Sequence, residues 1–296
     1  MRKLDDASIA GKYNYCFIGS GVMLNRLLVE APFNRSRCLI ISDQHNGASY
    51  SLEGNSATIV SRLGAISSLA EFEIETLVVL AKTHLWKHPE EFEALIHKMS
   101  TKVRKKVIHI SSGSVYGEAI ANIDESFSLK PITPYGVRKV FEEKCVVKSF
   151  LGVTAVQVLR VSNVFGDSLF QDFTNYCLKA ALDRSSVKVY SNGDIERDYL
   201  YVNCLVEALS QLIVLDSTEE YIILNLSTGI GTSITEMINF ISEETGLNID
   251  KVNHSRPHDL VKRSVLDNSA VLKTIPWKPL NFETGMKHYL EGFFRD

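Results

Sequence analysis

Short apolar runs recur along the chain: Tyr15-Cys16-Phe17-Ile18, Cys38-Leu39-Ile40-Ile41, Leu77-Val78-Val79-Leu80-Ala81, Val107-Ile108-His109-Ile110 and Val156-Gln157-Val158-Leu159. Runs of this length without polar alternation predict strands buried on both faces. Between them lie stretches with apolar residues at helical spacing. Val22, Leu24, Leu27 and Leu28 form one, closed by Pro32; Phe92, Leu95, Ile96 and Met99 form another, starting near Pro89. A third runs from Pro134 to Phe150, with proline at its start and Gly152 just past its end, the placement that helix termini favour. Strands alternating with helices predict an α/β fold with a doubly wound, mostly parallel sheet. Residues 45–62 are polar and Ser-rich and give no clear element.

Beyond residue 165 the rhythm changes. Val187-Lys188-Val189-Tyr190 reads as a short strand before the turn Ser191-Asn192-Gly193-Asp194, and Ser233 to Gly246 as an amphipathic helix carrying Ile234, Met237, Ile238 and Ile241. The expected organisation is a dinucleotide-binding domain over 1–165, with 199–226 returning to it. A smaller carboxy-terminal substrate lobe comprises 166–198 and 227–296.

Composition narrows the class. Of the 296 residues, 45% are hydrophobic and 23% charged, as in ordinary globular proteins. The formal charge of −3 leaves no basic excess for a phosphate backbone, so no nucleic-acid partner is expected. The five cysteines have no CxxC spacing, which argues against zinc and a disulfide framework. His84 and His88 are four apart without further ligands, and no metal is expected. No apolar stretch approaches the ~18 residues of a membrane span, and Met1 to Lys12 lacks the core of a secretory signal. The expected location is cytoplasmic.

Candidate chemistry begins at Gly19-Ser20-Gly21, between the first strand and the first helix. Such a turn lets a phosphate approach backbone N–H groups at a helix start. Asp43 ends the second strand 22 residues after Gly21 (43 − 21), where a carboxylate can accept from the hydroxyls of a ribose. The third glycine of a G-x-G-x-x-G turn is replaced by Leu24. Further on, Tyr135 and Lys139 are four apart on a helix and share a face. A nearby ammonium lowers a phenol's pKa, which suits the tyrosine to exchange a proton with a substrate hydroxyl. Ser112, at the end of a strand, is placed to hydrogen-bond the same oxygen.

The order of these features resembles the extended short-chain dehydrogenases/reductases, and among them the NAD-dependent epimerase/dehydratase family acting on nucleotide sugars. Ser111-Ser112-Gly113-Ser114-Val115-Tyr116-Gly117 is similar to its serine motif, and Pro134-Tyr135-Gly136-Val137-Arg138-Lys139 to its tyrosine motif. The resemblance continues through Leu159 to Gly166, Arg197 to Val202, Asn225 to Gly231 and Arg256-Pro257-His258-Asp259. It implies a Rossmann-type fold and a catalytic set of Ser112, Tyr135 and Lys139. The cofactor residues it implies are Gly19, Ser20, Gly21, Asp43 and Ala81. The residues it implies for a nucleotide-diphosphate sugar are Ser114, Asn163, Arg197, Arg256 and Asp259, the two arginines toward diphosphate. NAD is the implied cofactor, because Asp43 would repel an added 2′-phosphate; Arg37 and Arg62 keep NADP open. A homodimer is implied through helices near the tyrosine, with Phe141, Val146 and Val147 as its apolar surface; the other reading of these three is that they are core.

Several positions depart from the family pattern. Only 23 residues separate Pro89 from Ser112 (112 − 89), and Glu90 to Met99 offers no counterpart to the family's active-site asparagine. Lys82-Thr83-His84 stands where small residues usually face the cofactor. Gly113-Ser114 replaces the acidic pair of the sugar 4,6-dehydratases, which disfavours dehydration. The expected activity is hydride transfer at sugar C4 by a 4-ketoreductase, with a 4-epimerase as the alternative. A dinucleotide-binding module without catalysis is the alternative of another class.

Overall fold

The computed structural model describes residues 11–19, 21–29, 37–42, 57–61, 72–80, 88–216, 219–255, 257 and 260–294. It divides into two compact units. The first comprises Met1–Ser111, Arg138–Leu159 and Leu209–Ile223; the second comprises Ser112–Val137, Arg160–Ala208 and Leu224–Asp296. The segment 112–137, which sequence reading keeps with the dinucleotide-binding domain, clusters with the second unit.

The first unit is built on a seven-stranded sheet. Its strands are β1 (Gly11–Ile18), β2 (Cys38–Ser42), β3 (Ala57–Ser61), β4 (Phe72–Val79), β5 (Val103–Ser112), β6 (Ala155–Val161) and, beyond the region 163–201, β10 (Tyr221–Leu226). The spatial order is β10-β6-β5-β4-β1-β2-β3. β1 pairs parallel with β2 and β4, β2 with β3, and β4 with β5. Helices α1 (Val22–Val29), α2 (Pro89–Ser100) and α3 (Pro134–Phe150) connect the strands. The fold is therefore the Rossmann-like α/β arrangement that the apolar runs predict. β3 is an addition to that reading: its Ala-Thr-Ile-Val-Ser sequence lies in the polar stretch that gave no element.

Strand and helix faces meet in one cluster. Leu77, Val79 and Val107 from the sheet pack with Phe92, Leu95, Ile96 and Met99 of α2 and with Cys145, Val146 and Phe150 of α3. Each such side chain stabilises the fold by roughly 1.5–3 kcal/mol on burial. Val146 is fully buried, and Phe141 and Val147 pack partly against the same cluster. Of the three residues expected at a dimer surface, Val146 therefore lies in the core, and Phe141 and Val147 are half-buried against it. All five cysteines are buried free thiols.

The second unit contains β7 (Asn163–Phe165), α4 (Phe173–Leu182), β8 (Ser186–Tyr190), β9 (Glu196–Tyr201), β11 (Gly231–Ser233), α6 (Ile234–Thr245), β12 (Asp250–His254), β13 (Arg263–Ser264), α7 (Ser269–Thr274) and α8 (Phe282–Phe293). It takes up the start of α5 (Val202–Val214), whose end lies in the first unit. β9 pairs with β7, β11 and β13, while β8 pairs with β12. The helix expected over 233–246 is α6, and it is capped at both ends. Ser233 Oγ accepts from Glu236 N, Glu236 Oε2 accepts from Ser233 N, and Gly246 closes the helix at φ +67°. This is a reciprocal capping box. Among the described residues no helix is long and apolar enough to cross a membrane.

Two buried polar knots hold the second unit. Tyr116 Oη donates to Asn225 Oδ1 at 2.8 Å and accepts from Arg160 at 2.9 Å, while Asn225 Nδ2 donates to the carbonyls of Ile123 and Asp267. Asp198, fully buried on β9, accepts from Thr228 N, Thr228 Oγ1 and Gly229 N, each at 2.9 Å. Burial outweighs these hydrogen bonds and pushes its pKa up to about 6. A carboxyl raised in this way favours the folded state when protonated, and that stability is lost as pH rises from about 4 through about 6. The Asp198→Asn variant should therefore lack a loss of about 3 kcal/mol over this window that the parent shows. Urea midpoints of the two proteins at pH 4, 5, 6 and 7 measure the difference. Parallel pH dependences would contradict it.

Candidate active site

The glycine turn follows β1. Gly19 N donates to Ile41 O at 2.9 Å, which ties the turn to β2. Gly19 has φ +127° and Gly21 φ +102°, conformations that L side chains adopt only with strain. A Cβ at Gly19 would also lie 3.2 Å from the Leu80 carbonyl carbon. α1 starts at Val22, and Leu24, at the position of the absent third glycine, is fully buried. Ser20, Asp43, Ala81, Arg256 and Asp259 lie outside the described residues, as do His84 and Arg62.

The serine turn closes β5. Ser112 Oγ accepts from Ser114 N at 3.2 Å and from Ser114 Oγ at 3.1 Å, so it caps the single 3-10 turn Gly113–Val115. Ser112 and Ser114 are thus brought together, both half-buried. The first turn of α3 presses on this segment. A Cβ on Gly136 would stand 2.5 Å from the Ser114 carbonyl oxygen, closer than any side chain tolerates. Tyr135, beside that glycine, is 46% exposed, so its phenol is open to a ligand.

Lys139 follows one helical turn after Tyr135 and is buried. Its ammonium donates to Ile110 O at 3.1 Å and to Glu142 Oε2 at 2.8 Å. The lysine is therefore fixed at the end of β5, two residues before Ser112. Ser111, between them in sequence, donates to Glu143 Oε1. Glu142 was not singled out from the sequence, although its i+3 spacing from Lys139 was available there. Burial raises its pKa against the pull of the Lys139 charge.

Asn163 and Arg197 line one cavity in the second unit, of about 420 Å³, with Gln171, Phe173, Lys188 and Tyr190 on its wall. They meet because β7 lies parallel beside β9, with Asn163 opposite Tyr199. The lining suits an anionic ligand with a planar group: Phe173 and Tyr190 offer ring faces, and Lys188 and Arg197 offer cations. Arg197 is anchored by the carbonyls of Glu196 and Lys262, at 2.8 and 3.2 Å, and by that of Val261. These bonds orient the guanidinium at the cavity wall. Asp198, its neighbour in sequence, turns to the opposite face of the strand. Gln171 and Phe173 lie at the start of α4, where the sequence shows no motif, and only the fold reveals them as lining.

The model of the NAD dependent epimerase/dehydratase family matches residues 85–227, which include Ser112, Tyr135, Lys139, Asn163 and Arg197. Residues 85–227 belong to that family.

The epimerase/dehydratase match is accompanied by similar curated proteins. A UDP-glucose 4-epimerase of Yersinia enterocolitica is 31% identical over 57% of this chain and 54% of its own length. A dTDP-4-dehydro-6-deoxyglucose reductase of Escherichia coli is 26% identical over 59% of this chain and 57% of its own. The chain thus spans a little over half the length of these relatives. Among solved structures, MoeE5 in complex with UDP-glucose and NAD superimposes with a TM-score of 0.82 at 20% identity, covering 95% of this chain and 99% of that one. The UDP-glucose 4-epimerase of Thermotoga maritima, solved with UDP-glucose, gives a TM-score of 0.77 at 22% identity, covering 95% and 99%. At these identities the likeness establishes the fold.

The contact at Gly136 gives a test of sign. In an unobstructed helix, Gly→Ala stabilises by up to about 1 kcal/mol. Here the added methyl meets a backbone oxygen, so Gly136→Ala should destabilise by about 1–3 kcal/mol. Denaturation midpoints of the two proteins decide; a stabilised variant would show that α3 does not press on the serine turn.

Proposed function

We propose that the protein is an NAD-dependent 4-epimerase of a nucleotide-diphosphate sugar, with UDP-sugars as the substrate class. The observation that carries this reading is the conjunction of Ser112 at the end of β5 with Tyr135 and Lys139 one turn apart on α3, all within the family domain. UDP-glucose 4-epimerase is also the commonest name among the relatives, which moves the balance from the ketoreductase that the sequence favoured to its alternative.

The glycine turn fits a dinucleotide. Neither Gly19 nor Gly21 places a side chain in it, and both have backbone conformations that glycine adopts without strain. NAD held there supplies an acceptor and donor of hydride for sugar C4. Tyr135, as phenolate, takes the proton of the O4 hydroxyl and later returns it. Lys139 carries the positive charge that favours phenolate. Ser112 hydrogen-bonds O4 and holds it toward the phenol. Arg197 and Lys188 meet the diphosphate, Asn163 holds the glycosyl phosphate end, and Phe173 and Tyr190 flank the base. Ser114 secures Ser112 through its hydrogen bond. Arg256 and Asp259 keep the roles toward diphosphate and ribose that the motif suggests, and Asp43 that toward the adenosine ribose.

A second reading has its own support. The Escherichia coli relative is named as a 4-dehydro-6-deoxyglucose reductase, and the same three side chains serve a one-way reduction of a C4 ketone.

The test compares two assays on the purified protein. The epimerase reading expects interconversion of UDP-glucose and UDP-galactose, or of their N-acetylated forms, without net oxidation of NADH. Net NADH consumption with nucleotide 4-keto-6-deoxysugars and no epimer exchange would establish the reductase instead. Tyr135→Phe should lower kcat by at least about 10²-fold, as loss of general acid–base catalysis does, with folding intact by circular dichroism. Activity that persists in this variant would remove Tyr135 from the mechanism.

A further inference from the structure

The Lys139–Glu142 ion pair is almost wholly buried. Glu142 is 1% exposed, and its Oε2 meets the ammonium at 2.8 Å while its Oε1 has no hydrogen-bond partner. His109, fully buried on β5, has its Nε2 3.8 Å from the same carboxylate, and neither of its ring nitrogens has a hydrogen-bond partner. Buried orphan polar atoms are costly and uncommon, and a cluster of them asks for an explanation. A buried ion pair is also a poor stabiliser, because a packed apolar pair holds a core equally well. Retaining a carboxylate here is explained if its charge acts on something. Positions 135, 139 and 142 are spaced one helical turn apart along α3.

We propose that Glu142 is a positioning residue for the reaction: its buried carboxylate pins the Lys139 ammonium at the end of β5 and offsets part of the positive charge that Lys139 presents to the phenol of Tyr135. The proposal rests on the functional reading of Tyr135 and Lys139. Other charged and titratable groups around the pair are accounted for. On the same helix, Arg138 adds positive charge and Glu143 negative charge at Glu142, and Glu143 is engaged by Ser111. Burial and the Lys139 charge hold the β5 residue His109 well below its usual pKa, so it is neutral. Burial pushes the Cys145 thiol up to about 11, so it is neutral as well.

The Glu142→Gln variant isolates the charge. Glutamine has nearly the same volume, and its carbonyl oxygen still accepts from Lys139. With the negative charge gone, the uncompensated ammonium favours phenolate more strongly, and the acid limb of the kcat–pH profile should move down by about one pH unit. KM for the nucleotide sugar should stay within about twofold, because uniform binding is not altered. A role confined to packing would lower stability without moving the limb. The direct readout is the phenolate absorbance of the NAD-loaded protein, titrated with and without a Tyr135→Phe background so that their difference reports Tyr135. If Glu142→Gln does not fold, Glu142→Asp, which withdraws the charge by one methylene, should shift the same limb and titration in the same direction by less. An unmoved or upward-shifted Tyr135 titration in the variant that folds overturns the proposal. If activity survives Tyr135→Phe, the functional reading fails; if it is lost there but the titration does not move, only the role of Glu142 fails.

Discussion

The missing side chain at Gly136 is the constraint from which the candidate chemistry follows. Because position 136 carries only hydrogen, the first turn of α3 comes within van der Waals reach of the Ser114 carbonyl. That approach sets the tyrosine helix against the turn capped by Ser112. A few residues along, the Lys139 ammonium reaches back to the Ile110 carbonyl. The serine is thus bracketed in sequence by two fastenings, one on the turn after it and one on the strand before it. Both use backbone carbonyls, which neither rotate nor titrate, so the positions they define are stiff.

Polar groups inside the protein follow a consistent logic. Tyr116, Asn225 and Arg160 satisfy one another and the carbonyls around them, which makes them a lock on fold geometry. Asp198 is fully hydrogen-bonded yet uneasy as an anion, since desolvation exceeds what three donors return. The Lys139–Glu142–His109 group is different. It leaves three nitrogen or oxygen atoms without hydrogen-bond partners, and it contains the lysine whose charge the proposed reaction uses. Incomplete satisfaction in the interior, next to functional side chains, is where conflict between stability and activity is expected.

Much of the fold was legible in the sequence because both-face burial leaves a plain trace: every apolar run overlaps a sheet strand. The ends of α6 were legible at Ser233 and Gly246, while the Ser233–Glu236 capping box emerged only from the structure. β3 was not legible, since its five residues sit among serines in a polar stretch without a periodic apolar pattern. β4 begins at Phe72 rather than Leu77, because its early residues alternate with glutamates and hide the apolar face. Motif order pointed to Ser112, Tyr135, Lys139, Asn163 and Arg197 as candidates, and the fold places the last two on one cavity wall. It did not reveal that carbonyls of 261 and 262 restrain Arg197, nor that Gln171 and Phe173 share the cavity. Those contacts join segments far apart in the chain. The apolar residues Phe141, Val146 and Val147 illustrate the reverse ambiguity: sequence cannot separate a dimer face from a core face on the same helix.

In the proposed reaction a C4 hydrogen leaves the sugar as hydride and returns to the same carbon while Tyr135 handles the hydroxyl proton. The most direct measurement is mass and NMR analysis of product formed from UDP-glucose deuterated at C4, in ordinary water. The account predicts UDP-galactose that retains deuterium at C4. Loss of the label to solvent, or no epimer at all from any UDP-sugar offered, would contradict it.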